Sequence, residues 1–275
     1  MKLSISNIAW DVDEDLEIAN LLNRYNIDAI DIAPSKYFAD PATVSDCKID
    51  AVRTWWSNHG IEIVGMQALL FGTTGLNIFG SPEVKIALLE HLSHICRIGS
   101  ALRAKKLVFG SPKNRDRSAL SDQQTIKEAV EFFGRLGDIA KSYDVVVCLE
   151  PNPHCYDSNF MVTSIETADI VRMVNNSSIQ MQFDSGALTL NNESAACVLT
   201  NSSSIVGHIH ISEPNLLPLG SCQTDHSLIY QALNQFLPNH FCTIEMLATK
   251  TESHLISIER AVCFAIDNYH PSGPQ

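Results

Sequence analysis

Apolar positions along the chain follow two rhythms. Short runs rich in Val, Ile, Leu and Phe alternate with longer stretches in which apolar side chains recur every three or four residues. The first rhythm predicts strands and the second predicts amphipathic helices. Strands are expected over 3–7, 28–32, 61–66, 105–109, 145–149, 179–183, 205–211 and 241–245. Helices are expected near 14–25, 48–59, 83–100, 121–143, 163–174, 192–199, 225–236 and 251–268. Ser81-Pro82, Ser121, Thr163 and Thr251 each precede a periodic stretch as helix caps do, and Ser121-Asp-Gln-Gln124 has the spacing of a capping box.

Strands that are nearly continuous apolar runs belong to a parallel sheet covered on both faces. Eight strand-helix pairs in series favour closure of that sheet into a single (β/α)8 barrel, the TIM barrel architecture, and 275 residues suit it. An open doubly wound sheet is the competing topology, but no Gly-x-Gly-x-x-Gly follows the first strand. One barrel domain over residues 1–270 is expected, with 271–275 a disordered tail.

Composition narrows the class. Hydrophobic residues at 45% and charged residues at 18% describe an ordinary globular enzyme. Runs such as Val145-Val-Val-Cys-Leu149 fall far short of the ~20 residues of a bilayer span, so no membrane association is expected. The amino terminus lacks the apolar stretch of a secretory signal, and a cytoplasmic protein is expected. The eight cysteines form no Cys-x-x-Cys pair, which suggests neither a zinc knuckle nor a disulfide framework. A net charge of −12 repels a phosphate backbone, so nucleic acid is not an expected partner. Assembly into a homo-oligomer is left open.

Active sites of such barrels lie at the carboxyl ends of the strands. Val145-Val-Val-Cys-Leu-Glu150, Ile179-Gln-Met-Gln-Phe-Asp184 and Phe241-Cys-Thr-Ile-Glu245 each end a predicted strand on a carboxylate, and Gly207-His-Ile-His-Ile211 places two histidines on one face of another. Any one such carboxylate is more often a helix cap or a solvated rim charge. Four consecutive strands carrying three carboxylates and an imidazole to one rim instead form a ligand set suited to manganese, magnesium or cobalt, with zinc also compatible.

Seven segments carry a resemblance to a known family. They are Leu3-Ser-Ile-Ser-Asn-Ile-Ala-Trp10, Ile27-Asp-Ala-Ile-Asp-Ile-Ala-Pro34, Phe109-Gly-Ser-Pro112, Leu149-Glu-Pro-Asn152, Phe183-Asp-Ser-Gly186, His208-Ile-His-Ile-Ser-Glu213 and Ile244-Glu245. In order and spacing the chain resembles the xylose-isomerase-like barrel superfamily of sugar isomerases, ketose 3-epimerases, inosose dehydratases and endonuclease IV. The resemblance implies metal ligation by Glu150, Asp184, His210 and Glu245, with His208 in the shell around the site as a candidate substrate contact. It also implies that Glu150 and Glu245 act as acid and base on opposite faces of an enediolate formed next to a sugar carbonyl.

The sequence departs from the ketose 3-epimerases at two positions. Ala187 and Leu216 stand where those enzymes carry a histidine and an arginine that bind substrate oxygens. Other rim residues are candidates for substrate contact: Lys113 and Arg115 in the basic loop that also holds Arg117, Gln67, Trp10 as an apolar wall or a plug, and His154. The expected function is a metal-dependent isomerase or epimerase of a sugar or sugar phosphate. An inosose-type dehydratase and a metal-binding barrel without catalysis are the alternatives.

Overall fold

The short apolar runs hydrogen-bond side by side, and the computed structural model, which describes residues 1–269, closes them into one barrel. Its strands are β1 (Lys2–Ser6), β2 (Ala29–Ile32), β3 (Glu62–Met66), β4 (Lys106–Phe109), β5 (Val146–Leu149), β6 (Ile179–Asp184), β7 (Val206–Ser212) and β8 (Phe241–Glu245). All neighbours are parallel, and β1 pairs with β8 from Lys2 opposite Phe241 to Ile5 opposite Ile244, which closes the ring. The chain is a single (β/α)8 TIM barrel.

The helices are α1 (Asp15–Arg24), α2 (Asp46–Asn58), α3 (Pro82–Leu102), α4 (Asp122–Ser142), α5 (Ser164–Val174), α6 (Ser185–Asn191), α7 (Ala195–Ser202), α8 (His226–Phe236) and α9 (His254–Tyr269). Ser81, Ser121 and Thr163 cap α3, α4 and α5 by accepting backbone N–H groups of the first turn. No helix among the described residues is long and apolar enough to cross a membrane. The expected tail at 271–275 lies outside the described residues.

Two helix expectations are corrected. The single helix near 192–199 is replaced by α6 and α7, because the Asp184 carboxylate accepts the Ala187 N–H at 2.6 Å and starts a helix directly off β6. Left-handed Asn192 (φ 53°) ends α6, and Ser194 then caps α7. The last helix begins at His254 and not near 251, since the Thr249 hydroxyl donates to the Glu252 carbonyl and holds the preceding segment in a turn.

Outside the sheet, apolar side chains such as Trp56, Leu92, Phe133, Leu199 and Val262 fill the layer between strands and helices. Inside, the barrel is unusually polar. Alternate residues of β6 (Gln180, Gln182, Asp184) and β7 (His208, His210, Ser212) lie on the same side of their strands. Bonds that cross the ring show that this side is the interior: His208 meets Asp31 of β2 at 2.6 Å, and Lys106 of β4 donates to Gln180 at 2.8 Å. A register shift between Met181 and Gln182 sets Asp184 directly opposite His210.

Candidate metal centre and active-site cavity

Glu150, immediately after β5, and Asp184, His210 and Glu245 on the next three strands converge at the carboxyl end of the barrel. One ligand atom from each lies within 4.8 Å of all the others. Nδ1 of His210 stands 3.2 Å from a Glu245 oxygen and 3.5 Å from a Glu150 oxygen. Ser212 donates to Asp184 at 2.7 Å, and Gln67, just past β3, donates to the second Glu245 oxygen at 2.6 Å. Oε1 of Glu150 is buried without a hydrogen-bond partner.

Three carboxylates this close repel one another, and the electrostatics record it. Burial, then the negative charges of Glu245 and Glu150, push Asp184 up to about 7. Burial would raise Glu245 as well, but the charge and hydrogen bond of His210, with the bond from Gln67, hold it below the ordinary carboxylate range. Burial alone would lower His210; the Glu245 charge and the contacts with Asp31 and Glu150 outweigh it and hold the imidazole well above its ordinary value. A divalent cation would relieve the repulsion and occupy the lone pair of the orphaned Glu150 oxygen. The donor set therefore fits a hard or borderline divalent metal.

A cavity of about 1200 Å³ opens over these residues. Glu150, Asp184, Glu245, Gln67, Lys36 and Lys113 are among its lining. Ala187 and Leu216 also face it, so the two positions that depart from the ketose 3-epimerase pattern lie at the cavity wall. Leu216 adopts a left-handed backbone (φ 52°), and its carbonyl accepts the N–H of Leu247.

The remaining candidate residues separate sharply. Trp10 is fully buried, donates to Asp15 of α1 at 2.8 Å and packs edge-on against Trp56 of α2, so it belongs to the packing against the helices and is not a wall of the cavity. His154 is exposed outside the cavity lining, and its Nδ1 bonds the Ser158 carbonyl within its own loop. Arg115 does not reach the cavity either. Its guanidinium is completely buried and donates to the backbone carbonyl of Glu150 at 2.7 Å. Arg117 pairs with Asp122 at the surface, which leaves Lys113 as the cation of that loop that lines the cavity.

Sequence reading missed Asp31, Ser212 and Gly110. Asp31 is fully buried between His208 and His210, Ser212 holds Asp184, and a Cβ on Gly110 would overlap the Glu150 carboxylate. The polar alternation through β6 and β7 was the available signal, because an apolar-cored barrel has no use for it.

Residues 19–260 match the family described as xylose isomerase-like TIM barrel. The chain belongs to this family. No curated protein sequence is similar enough to count as a relative. Among solved structures, D-psicose 3-epimerase from Clostridium cellulolyticum H10 with D-tagatose shares 17% identity, with 98% of this chain and 99% of that one covered and a TM-score of 0.80. The 3-keto-D-glucoside 4-epimerase from E. coli shares 16% identity over 95% and 98% of the two chains, with a TM-score of 0.77. The IolI protein with a bound zinc atom shares 18% identity over 98% of each chain, with a TM-score of 0.75. At these identities the likeness establishes the barrel fold.

Proposed function

We propose that this family member is a metal-dependent sugar or sugar-phosphate epimerase or isomerase, with Glu150, Asp184, His210 and Glu245 holding a divalent cation such as manganese, magnesium or cobalt. The observation that carries the reading is the convergence of those four side chains at the carboxyl end of the barrel, where Glu150, Asp184 and Glu245 line one cavity. The epimerases and the zinc-bound protein among its structural neighbours support it.

When bound, the cation supplies Lewis-acid polarisation of a substrate carbonyl, which acidifies the adjacent C–H. Glu150 and Glu245 end strands that are three apart around the ring, so their carboxylates approach a common point from different directions. One takes the proton from the carbon next to the carbonyl, and the other returns a proton to the opposite face. Gln67 orients Glu245 for this task, and Asn152, 3.4 Å from Glu150, restrains the other carboxylate. Asp184 and His210 keep the pair in place. Lys113 at the cavity wall is the residue positioned to meet an anionic substituent.

Ala187 and Leu216 at the cavity wall favour a second reading, in which the substrate is not a free ketose. In a dehydratase acting on an inosose, the same proton abstraction is followed by loss of a hydroxyl group. Product analysis with ketoses, ketose phosphates and inososes separates the two. Glu150→Gln and Glu245→Gln, each with metal content verified, should both abolish product formation. A variant that keeps its abstracting base should still exchange the substrate's α-hydrogen with deuterium. Near-normal product from either variant with metal in place would remove the two-base mechanism.

A further inference from the structure

The Asp31 carboxylate is 0% exposed, inside the barrel and beneath the candidate metal ligands. A buried carboxylate is costly unless charge and hydrogen bonds compensate it. Here one oxygen bonds one imidazole and faces a second: Oδ2 lies 2.6 Å from Nε2 of His208 and 3.6 Å from Nε2 of His210. The His210 ring is thus bracketed, with Asp31 at Nε2 and Glu245 and Glu150 at Nδ1. Nε2 of His210 makes no hydrogen bond; the Asp31 carboxylate, 3.6 Å away, faces it just beyond bonding distance.

The backbone makes room for this carboxylate twice. The β2–β3 ladder runs from Ile30 opposite Ile63 to Asp31 opposite Gly65, a register shift that skips Val64. At the partner position, a Cβ on Gly65 would overlap Oδ1 of Asp31 and lie 2.7 Å from its Cγ and Oδ2. A glycine in a strand interior is unfavourable and commonly marks a close approach of another group.

We propose that Asp31 is a positioning residue that holds the His210 imidazole with Nδ1 turned toward Glu150 and Glu245, and that Gly65 is side-chain-free because any Cβ would displace Asp31. An imidazole coordinates a cation through the nitrogen that lacks a proton, and a carboxylate at the other nitrogen selects the tautomer and fixes the ring. The inference rests on the metal reading of the site, and a test by metal affinity separates the two.

The full chain is stripped with chelator and titrated with Mn²⁺, with free Mn²⁺ followed by electron paramagnetic resonance. Wild type is compared with Asp31→Asn, Asp31→Ala, Gly65→Ala and the Asp31→Ala/Gly65→Ala double variant. Asp31→Asn, nearly isosteric, should weaken Mn²⁺ binding by about 10–100-fold. Gly65→Ala should weaken it comparably in wild type and add nothing once Asp31 is alanine, since the clash is then gone. Thermal midpoints in chelator report folding separately. Lowered midpoints with unchanged Mn²⁺ affinity would overturn the positioning role in favour of a structural one. Two ions per chain would also overturn it, by making Asp31 a ligand with His208 and His210. If wild type takes up none of Mn²⁺, Co²⁺ or Zn²⁺, the metal reading itself fails, and this inference with it.

Discussion

Nδ1 of His210 lies 3.2 Å from one oxygen of Glu245, while the other oxygen of that carboxylate accepts a hydrogen bond from Gln67 at 2.6 Å. Gln67 therefore decides which oxygen faces the cluster. A hydrogen bond to a charged group contributes roughly 1.5–3 kcal/mol. Gln67→Met, which keeps the bulk and removes the donor, should lower kcat/KM by about 10–100-fold with the fold unchanged. Steady-state kinetics with metal content measured in parallel checks this. Wild-type kinetics would show that Glu245 needs no orientation.

Acid should compete with metal. Asp184 is pushed up to about 7 in the folded chain against an ordinary 3.8, so the metal-free fold binds a proton that the unfolded chain releases. That proton's contribution to stability is complete below the ordinary value and is lost as pH rises toward 7. His210, held above its ordinary value, acts with the same sign at higher pH. A divalent ion must displace these protons, so the rise in Tm on adding Mn²⁺ should grow from pH 5 through 7. Thermal melts with Mn²⁺ and with chelator across that range provide the measurement. A constant difference would mean that the ion does not bind at this cluster.

Lys113 and Arg115 are two residues apart but should respond oppositely. Lys113→Ala should leave Tm unchanged and raise KM for a phosphorylated substrate about tenfold, the effect of losing one charge-assisted hydrogen bond. Arg115→Ala deletes a fully buried side chain bonded to the Glu150 carbonyl. It should lower stability by about 2–4 kcal/mol and affect phosphorylated and unphosphorylated substrates alike. Denaturant melts and KM values for the two substrates distinguish these outcomes. A selective effect of Arg115→Ala on the phosphorylated substrate would contradict its placement.

Gly110, just after β4, lies against the Glu150 carboxylate, and an added Cβ would come within 3.0 Å of its Cδ. Gly110→Ala should therefore displace Glu150, reduce metal content and abolish most turnover. Far-ultraviolet circular dichroism should remain that of wild type, because the change lies in a loop at the cavity wall. Full metal occupancy and activity would show that Glu150 can shift without cost.

Strand and helix order was legible because each depends on neighbours along the chain: apolar period and caps such as Ser81, Ser121 and Thr163 act within a few residues. The same locality made Glu150, Asp184 and Glu245 visible, since ending a strand of a closed parallel barrel is enough to bring a side chain to the rim. The short helix that Asp184 caps was missed, because whether a carboxylate at a strand end starts a helix on the next N–H groups depends on the following backbone. What lies between distant segments could not be read at all. The place of Trp10 depends on Asp15 and Trp56, that of Arg115 on the turn of its loop toward Glu150, and that of His154 on its bond to Ser158. Asp31 meets His208 across 177 positions of sequence and across the interior of the barrel. Local pattern determined which residues reach the rim and the interior. Only closure of the ring decided which of them touch, because side-chain direction and burial are set by partners contributed from strands far apart in the chain.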